Sequence, residues 1–127
     1  MAIHTNQSTV YHKAIRSIYE HLQYGAEKPD IKVILETSAT KEIRICMKNN
    51  QLMKTHKSPF PIVIHIVQGA IRLGIATESY DMKSGDIIGL ESNIPHDLTA
   101  TEDTIIRLSI SHSDTAKRVQ EVVNTSE

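Results

Sequence analysis

The chain has 127 residues and a mass of 14.2 kDa, which is the size of a single domain with one hydrophobic core. Its 14 Lys and Arg residues are balanced by 15 Asp and Glu residues. It therefore lacks the basic excess typical of nucleic-acid-binding proteins, and we expect no nucleic-acid partner. Its apolar stretches are far shorter than the roughly 20 residues that cross a bilayer, and its first residues lack the blocks of a signal peptide. We expect a cytoplasmic protein with no membrane partner, in which the single cysteine, Cys46, is a buried structural thiol.

The first segment, residues 1–29, is predicted to form an amphipathic helix or arm. Apolar residues recur at helical spacing between Thr9 and Leu22. Ser8 or Thr9 is available as the N-cap, and Gly25 follows the predicted end of the helix. The apolar residues at this spacing are Val10, Ala14, Ile15, Ile18 and Leu22. An amphipathic helix needs a surface to cover, either on the same domain or on a second chain.

From Ile31 onward the apolar pattern becomes short and alternating, which is typical of β-strands. Turn sequences such as "KNNQ", "QGA", "KSGD" and "ESNIP" separate the alternating segments. Roughly eight or nine short strands at this spacing predict an all-β barrel or sandwich over residues 30–112. The last segment, residues 113–127, is predicted to be a short helical tail. It starts at Ser113 and places Ala116, Val119 and Val123 on one face.

Two stretches of the predicted barrel share a recognisable order of residues. Residues 53–69 read "MKTHKSPFPIVIHIVQG", and residues 83–100 read "KSGDIIGLESNIPHDLTA". The order His-x-x-Pro, apolar strand and Gly69, then Gly85-Asp, apolar strand, turn and Pro-His, resembles the two motifs of the cupin family. The resemblance covers roughly residues 40–111 and is strongest to small single-domain bacterial cupins of unassigned function. It implies a double-stranded β-helix of the jelly-roll type, often a homodimer, whose barrel mouth holds a metal or a small ligand.

The resemblance also implies which residues would hold a metal. Cupin metal sites take a His-x-His pair and a Glu from the first motif, and a single His from the second. Alignment on Gly69 puts His56, Ser58 and Ile62 at the three first-motif positions, and alignment on Gly85 puts His96 at the fourth. His56 and His96 are therefore the metal-ligand candidates, for one divalent transition metal such as Zn, Ni, Fe or Mn.

Two further details concern the loop and the strand in these motifs. The Pro-x-Gly turn expected before His96 is replaced by Glu91-Ser92-Asn93, where Asn93 can adopt the positive φ that glycine would supply. His65 alternates with Ile64 and Ile66, so it is expected on the outer face of its strand unless the register slips by one residue.

Three arginines lie between branched residues in the triplets "IRI", "IRL" and "IRL", namely Arg44, Arg72 and Arg107. Guanidinium groups on neighbouring strands could together bind an anion. We favour the simpler interpretation, in which they form the solvated face of a half-buried sheet.

Two classes of function fit these residues. In the first, the loss of two metal ligands makes the cavity more apolar, so that the barrel binds a small organic molecule in a non-catalytic or sensing role. The expected lining residues are Ser58, Phe60, Ile62, Ile64 and His96. In the second, the protein is a metal-dependent oxygenase, isomerase or lyase acting on a small acid or sugar, with water or substrate oxygen completing the coordination of His56 and His96. The fold alone does not choose between them, and whether the protein is an enzyme stays open.

The missing ligands favour the first class. Under either class a homodimer is expected, because outward apolar residues such as Val63 and Val67 offer a surface for the N-terminal arm or for a partner.

Overall fold

The computed structural model describes Val10 and residues 12–126. These residues form nine strands followed by one helix. The strands are β1 (Asp30–Glu36), β2 (Thr40–Met47), β3 (Leu52–His56), β4 (Ile62–Gln68), β5 (Ala70–Ile75), β6 (Glu78–Lys83), β7 (Ile87–Leu90), β8 (His96–Ala100) and β9 (Thr104–Ser111), and the helix is α1 (Ala116–Thr125).

The strands form two antiparallel sheets whose inner faces enclose the core. One sheet has five strands in the order β1-β2-β9-β4-β7, and the other has four in the order β3-β8-β5-β6. Strands that are distant in sequence therefore lie side by side, as in a jelly roll. The predicted all-β barrel with a short C-terminal helix is confirmed.

Alternation along β4 decides which side chains face the core. Ile62, Ile64 and Ile66 are buried, whereas Val63 and His65 are only partly buried. His65 lies opposite Arg107 of β9 and Ile87 of β7 on the outer face, as the sequence pattern predicts. Cys46 is fully buried in β2, which agrees with a structural thiol.

Three residues of the two motifs adopt positive φ at the turns. Gly69 has φ 101° and Gly85 has φ 95°. A side chain on Gly69 would come within 2.4 Å of the carbonyl oxygen of Asp103, so only glycine fits there. Asn93 has φ 64°, and its N–H donates to the carbonyl of Ser58 at 2.7 Å. The predicted positive φ at Asn93 is confirmed, and its hydrogen bond connects the two motif loops.

The predicted N-terminal amphipathic helix is not confirmed. Its described part, Val10 and residues 12–22, contains a turn at residues 18–21 and no helix, and its proposed caps Ser8 and Thr9 lie outside the described residues. The physical reason is Arg44, a residue that is only 1% exposed. Its guanidinium donates to the carbonyls of Ile18, Glu20 and His21 at 3.0, 2.7 and 3.2 Å. An α-helix would use these carbonyls internally, so the contact with β2 replaces helical hydrogen bonds.

The three arginines do not form a common anion site. Arg44 and Arg107 are paired on adjacent strands of the five-stranded sheet, whereas Arg72 lies in the other sheet. Arg107 donates to Glu42 at 2.7 Å, and Arg72 forms an exposed ion pair with Asp81 at 3.3 Å. The interpretation as a solvated face is correct for Arg72 but wrong for Arg44, which lies beneath the N-terminal segment.

Helix α1 covers one end of the barrel. Thr115 is its N-cap, and the Thr115 side chain accepts from the N–H of Arg118 at 3.1 Å. Val119, Val122 and Val123 are buried in the core cluster, and the helix packs mainly against β3. The predicted apolar face is therefore confirmed, although the helix begins after Ser113. Among the described residues no helix is both long enough and apolar enough to span a bilayer.

Candidate ligand site at the barrel mouth

Two histidines from the two sequence motifs meet beneath α1. His56 ends β3 and His96 begins β8, and the two residues are opposite each other in the strand pairing. Their ring centroids are 4.3 Å apart, and the rings are tilted by 56°. The fold therefore brings the two predicted metal-ligand candidates together.

Hydrogen bonds to the backbone define which nitrogen of each ring is protonated. Nδ1 of His56 lies 2.6 Å from the carbonyl oxygen of Lys54, and Nδ1 of His96 lies 2.9 Å from that of Ile94. Because a carbonyl oxygen can only accept, each neutral ring carries its hydrogen on Nδ1. The Nε2 atoms, which have no hydrogen-bond partner among the described residues, then present lone pairs.

Both imidazoles are neutral at pH 7. Burial lowers the pKa of His56 to about 4, and the charge of Arg118 adds to this effect. Burial also lowers the pKa of His96, again with a contribution from Arg118. The pair therefore acts as two hydrogen-bond acceptors rather than as cations.

A buried ion pair fixes the position of Arg118 beside the histidines. The Nε of Arg118 donates to Asp114 Oδ1 at 2.8 Å, and its Nη2 donates to Oδ2 at 2.7 Å. Ser58 Oγ donates to the same Oδ2 at 3.0 Å, and the Lys41 ammonium donates to the Asp114 carbonyl at 2.7 Å. Asp114 and Ser58 are each 4% exposed. Bidentate geometry of this kind holds a guanidinium in one orientation.

Asp114 is ionised at neutral pH. Burial acts to raise the pKa of Asp114, but hydrogen bonds from Arg118, from the N–H of Thr115 and from Ser58 together hold that pKa below its ordinary value. The carboxylate is thus fully engaged within the protein.

The space between the imidazoles and Arg118 is a small, mostly apolar cavity. A water-sized sphere can occupy about 20 Å³ of it, which is room for about one water molecule. Its polar lining residues are His56, His96 and Arg118. Its apolar lining residues are Ile45, Met53, Ile62, Ile64, Leu98, Ile106, Leu108 and Val119. Because Arg118 and Val119 belong to α1, the helix forms one wall of the cavity.

Of the ligand-contact residues expected from sequence, Ile62, Ile64 and His96 line this cavity. Ser58 lies in the loop before β4, but its hydroxyl is directed to Asp114 and to the N–H of Phe60. Phe60 lies in the same loop and is not one of the lining residues.

Sequence reasoning missed Arg118 and Asp114. Their spacing of four residues is typical of an ion pair on a helix. The pattern gives no indication that this pair lies over the barrel mouth, because that position depends on how α1 packs.

The residues present do not complete a metal centre. Among the described residues, no group of three or more His, Cys, Asp and Glu side chains is arranged to hold a metal ion. Ser58 and Ile62 occupy two positions of the motif, and the Asp114 oxygens accept from Arg118 and Ser58. The guanidinium beside the two imidazoles also repels a divalent cation.

Comparisons with known proteins agree on the fold. No family model matches the sequence, and no curated protein matches it. A conserved protein of unknown function from Streptococcus pyogenes has a TM-score of 0.68 at 18% identity, covering 87% of this chain and 96% of that chain.

Two further solved structures extend the comparison. An RmlC-like cupin from Desulfovibrio desulfuricans has a TM-score of 0.72 at 14% identity, covering 80% of this chain and 98% of that chain. KdgF from Halomonas sp. has a TM-score of 0.69 at 18% identity, covering 84% of this chain and 98% of that chain. These likenesses confirm the predicted fold: the chain folds like small RmlC-like cupins.

Proposed function

We propose that this protein binds a small organic molecule in the barrel mouth, in a non-catalytic or sensing role. The observation that carries the proposal is the position of the Arg118–Asp114 ion pair beside two neutral imidazoles in an apolar cavity. Small-molecule sites typically combine apolar walls with a few polar groups that orient the ligand. Here eight apolar residues form the wall, and three polar side chains supply the orientation.

Binding requires the C-terminal part of α1 to move, because the cavity has room for about one water molecule. The N-terminal end of the helix, with Arg118, stays in place, because Ser58 and Lys41 hold Asp114 just before it.

The helix is attached to the barrel through three buried valines and a few polar contacts. Lys28 Nζ donates a hydrogen bond to Asn124 Oδ1, and the N–H of Lys54 donates one to Ser126 Oγ, each at 2.8 Å. A ligand that binds only when the C-terminal part of α1 is displaced would shift the population toward that state. The position of α1 then reports ligand occupancy, which is the basis of the sensing role.

The test is calorimetric titration of the full chain with short carboxylic acids, alcohols and amides, compared between two matched variants. Ile64 and Ile66 are both buried on β4, but only Ile64 lines the cavity. Ile64→Phe fills the cavity and abolishes binding, whereas Ile66→Phe overpacks the core elsewhere and retains it. Circular dichroism verifies that both variants fold. Equal affinity in the two variants, or no binding by any compound to the unmodified chain, would overturn the proposal.

A second candidate is the metal-dependent enzyme. The observation that favours it is the presence of two Nε2 lone pairs whose rings are each oriented by a backbone carbonyl, as in many metal sites. Two imidazoles alone bind a first-row metal weakly. Elemental analysis of untagged protein, purified without chelator, distinguishes the candidates. About one metal ion per chain, lost in His56→Ala/His96→Ala, supports the enzyme, and no metal in either supports ligand binding.

A further inference from the structure

The guanidinium of Arg118 has more N–H donors than the neighbouring described residues accept. An arginine side chain carries five N–H donors. The Asp114 carboxylate accepts one hydrogen bond from Nε and one from Nη2, and the carbonyl oxygen of Lys57 lies 3.4 Å from Nη1. The remaining N–H groups have no acceptor among the described residues, although the guanidinium forms part of the cavity wall.

The only charged side chain among the described residues that line the cavity is positive. That side chain belongs to Arg118, and none of the lining residues carries a carboxylate. Asp114 lies behind the guanidinium rather than in the wall, where it accepts from Arg118 and Ser58. An anionic group on a ligand would therefore meet a fixed donor without facing a carboxylate.

The two imidazoles determine which second polar group a ligand needs. Nε2 of His56 and Nε2 of His96 are acceptors, because each Nδ1 donates to the backbone. A ligand group in contact with them must donate a hydrogen bond, as a hydroxyl does. The rest of the wall, which includes Met53 and Leu98, accommodates a short hydrocarbon chain.

We propose that the barrel mouth recognises a small hydroxycarboxylic acid, with its carboxylate paired to Arg118 and its hydroxyl donating to the imidazole pair. This inference rests on the proposed function and adds the chemical class of the ligand. Arg118 is the residue that contacts the anion, and Asp114 and Ser58 are positioning residues that act through it. Ser58 stands where the motif alignment implies a metal-ligating histidine. In this chain the residue at that position instead helps to orient the Arg118 guanidinium, through its hydrogen bond to Asp114.

The test is isothermal titration calorimetry with the full chain. The probes are the 2-hydroxy acids from glycolate to 2-hydroxyhexanoate, each paired with its neutral 2-hydroxyamide. At least one acid is expected to bind at least tenfold more tightly than its amide. Arg118→Gln removes this preference of acid over amide, and Arg118→Lys retains part of it. Lys117→Gln, an equal change of charge on an exposed residue of α1, leaves both affinities unchanged.

Ser58→Ala provides a test of the positioning role that does not depend on removing Arg118. It is expected to reduce the ratio of acid to amide affinity by at least threefold, which a loss of stability alone would not do. Equal binding of acid and amide, unaltered by Arg118→Gln, would overturn the hydroxy-acid inference and leave the proposed function standing. Failure of every 2-hydroxy acid and amide to bind would also overturn the hydroxy-acid inference, and the titration with alcohols and simple carboxylic acids then decides the proposed function separately.

Discussion

Replacing Asp114 with Asn removes the group that orients Arg118. Breaking a buried ion pair by removing one partner costs about 3–5 kcal/mol. The Arg118 side chain is 23% exposed, and the Asn oxygen still accepts one hydrogen bond. We therefore expect a loss of about 2 kcal/mol in the free energy of unfolding, which for a chain of this size is a fall of roughly 6–12 °C in melting temperature.

The pH dependence of this loss provides a second check. The pKa of Asp114 is held below its ordinary value of 3.8 in the folded protein. A lowered carboxyl pKa stabilises the fold at pH values above the unfolded pKa, and the stabilisation disappears as pH falls through the folded pKa. The difference between the native chain and Asp114→Asn is thus complete at pH 7 and shrinks below about pH 4.

Urea unfolding monitored by circular dichroism, at pH 7 and at the lowest pH where both proteins remain folded, measures both effects. Asp81→Asn is the matched control, because it makes the same change in an exposed ion pair with Arg72. Its cost is expected to stay below about 0.5 kcal/mol. The stabilising role of the Asp114 carboxylate is refuted if Asp114→Asn is no more destabilising than Asp81→Asn at pH 7, or if the cost of Asp114→Asn does not fall with acidification.

Three other predictions follow from the barrel and its N-terminal segment. Arg44→Met releases the carbonyls of Ile18, Glu20 and His21 and should cost about 2 kcal/mol in the free energy of unfolding. The variant should also expose this N-terminal segment to limited proteolysis, measured by mass spectrometry. Cleavage no faster than in an Arg72→Met control would contradict this prediction. Nitrogen-15 chemical shifts should report His56 as neutral and protonated on Nδ1 at pH 6, because burial lowers its pKa to about 4, and an imidazolium signal at that pH would contradict this. The chain is expected to be a homodimer by light scattering, since Ile15 is 96% exposed and Ile87 is 60% exposed, and Ile15→Ser/Ile87→Ser should shift it toward the monomer mass. A native chain of monomer mass would refute this.

The barrel could be predicted from sequence because its signals are local. Alternation in β4 determines which face is buried, and the positive φ values at Gly69, Gly85 and Asn93 follow from the residues that tolerate them. Each of these features depends on a few neighbouring residues. The meeting of His56 and His96 does not, and only the resemblance of the two motifs to the cupin family implied it.

The remaining features depend on contacts between distant parts of the chain. Residues 9–22 have helical spacing, yet Arg44 takes the carbonyls that a helix would need. Tertiary contacts override local propensity in this way when a buried charged group needs acceptors. The role of Ser58 was hidden for a similar reason, because its partner Asp114 is 56 residues away.

The most direct test of ligand binding at the barrel mouth is nuclear magnetic resonance of the metal-free protein during titration with the 2-hydroxy acids. An acid that binds is expected to shift the Nε–H signal of Arg118 and the Nε2 signals of His56 and His96 together, and to broaden or shift the amide signals of α1. Unchanged signals across the whole series, with the histidine signals responding instead to stoichiometric zinc, would contradict a ligand-binding barrel and favour a metal centre.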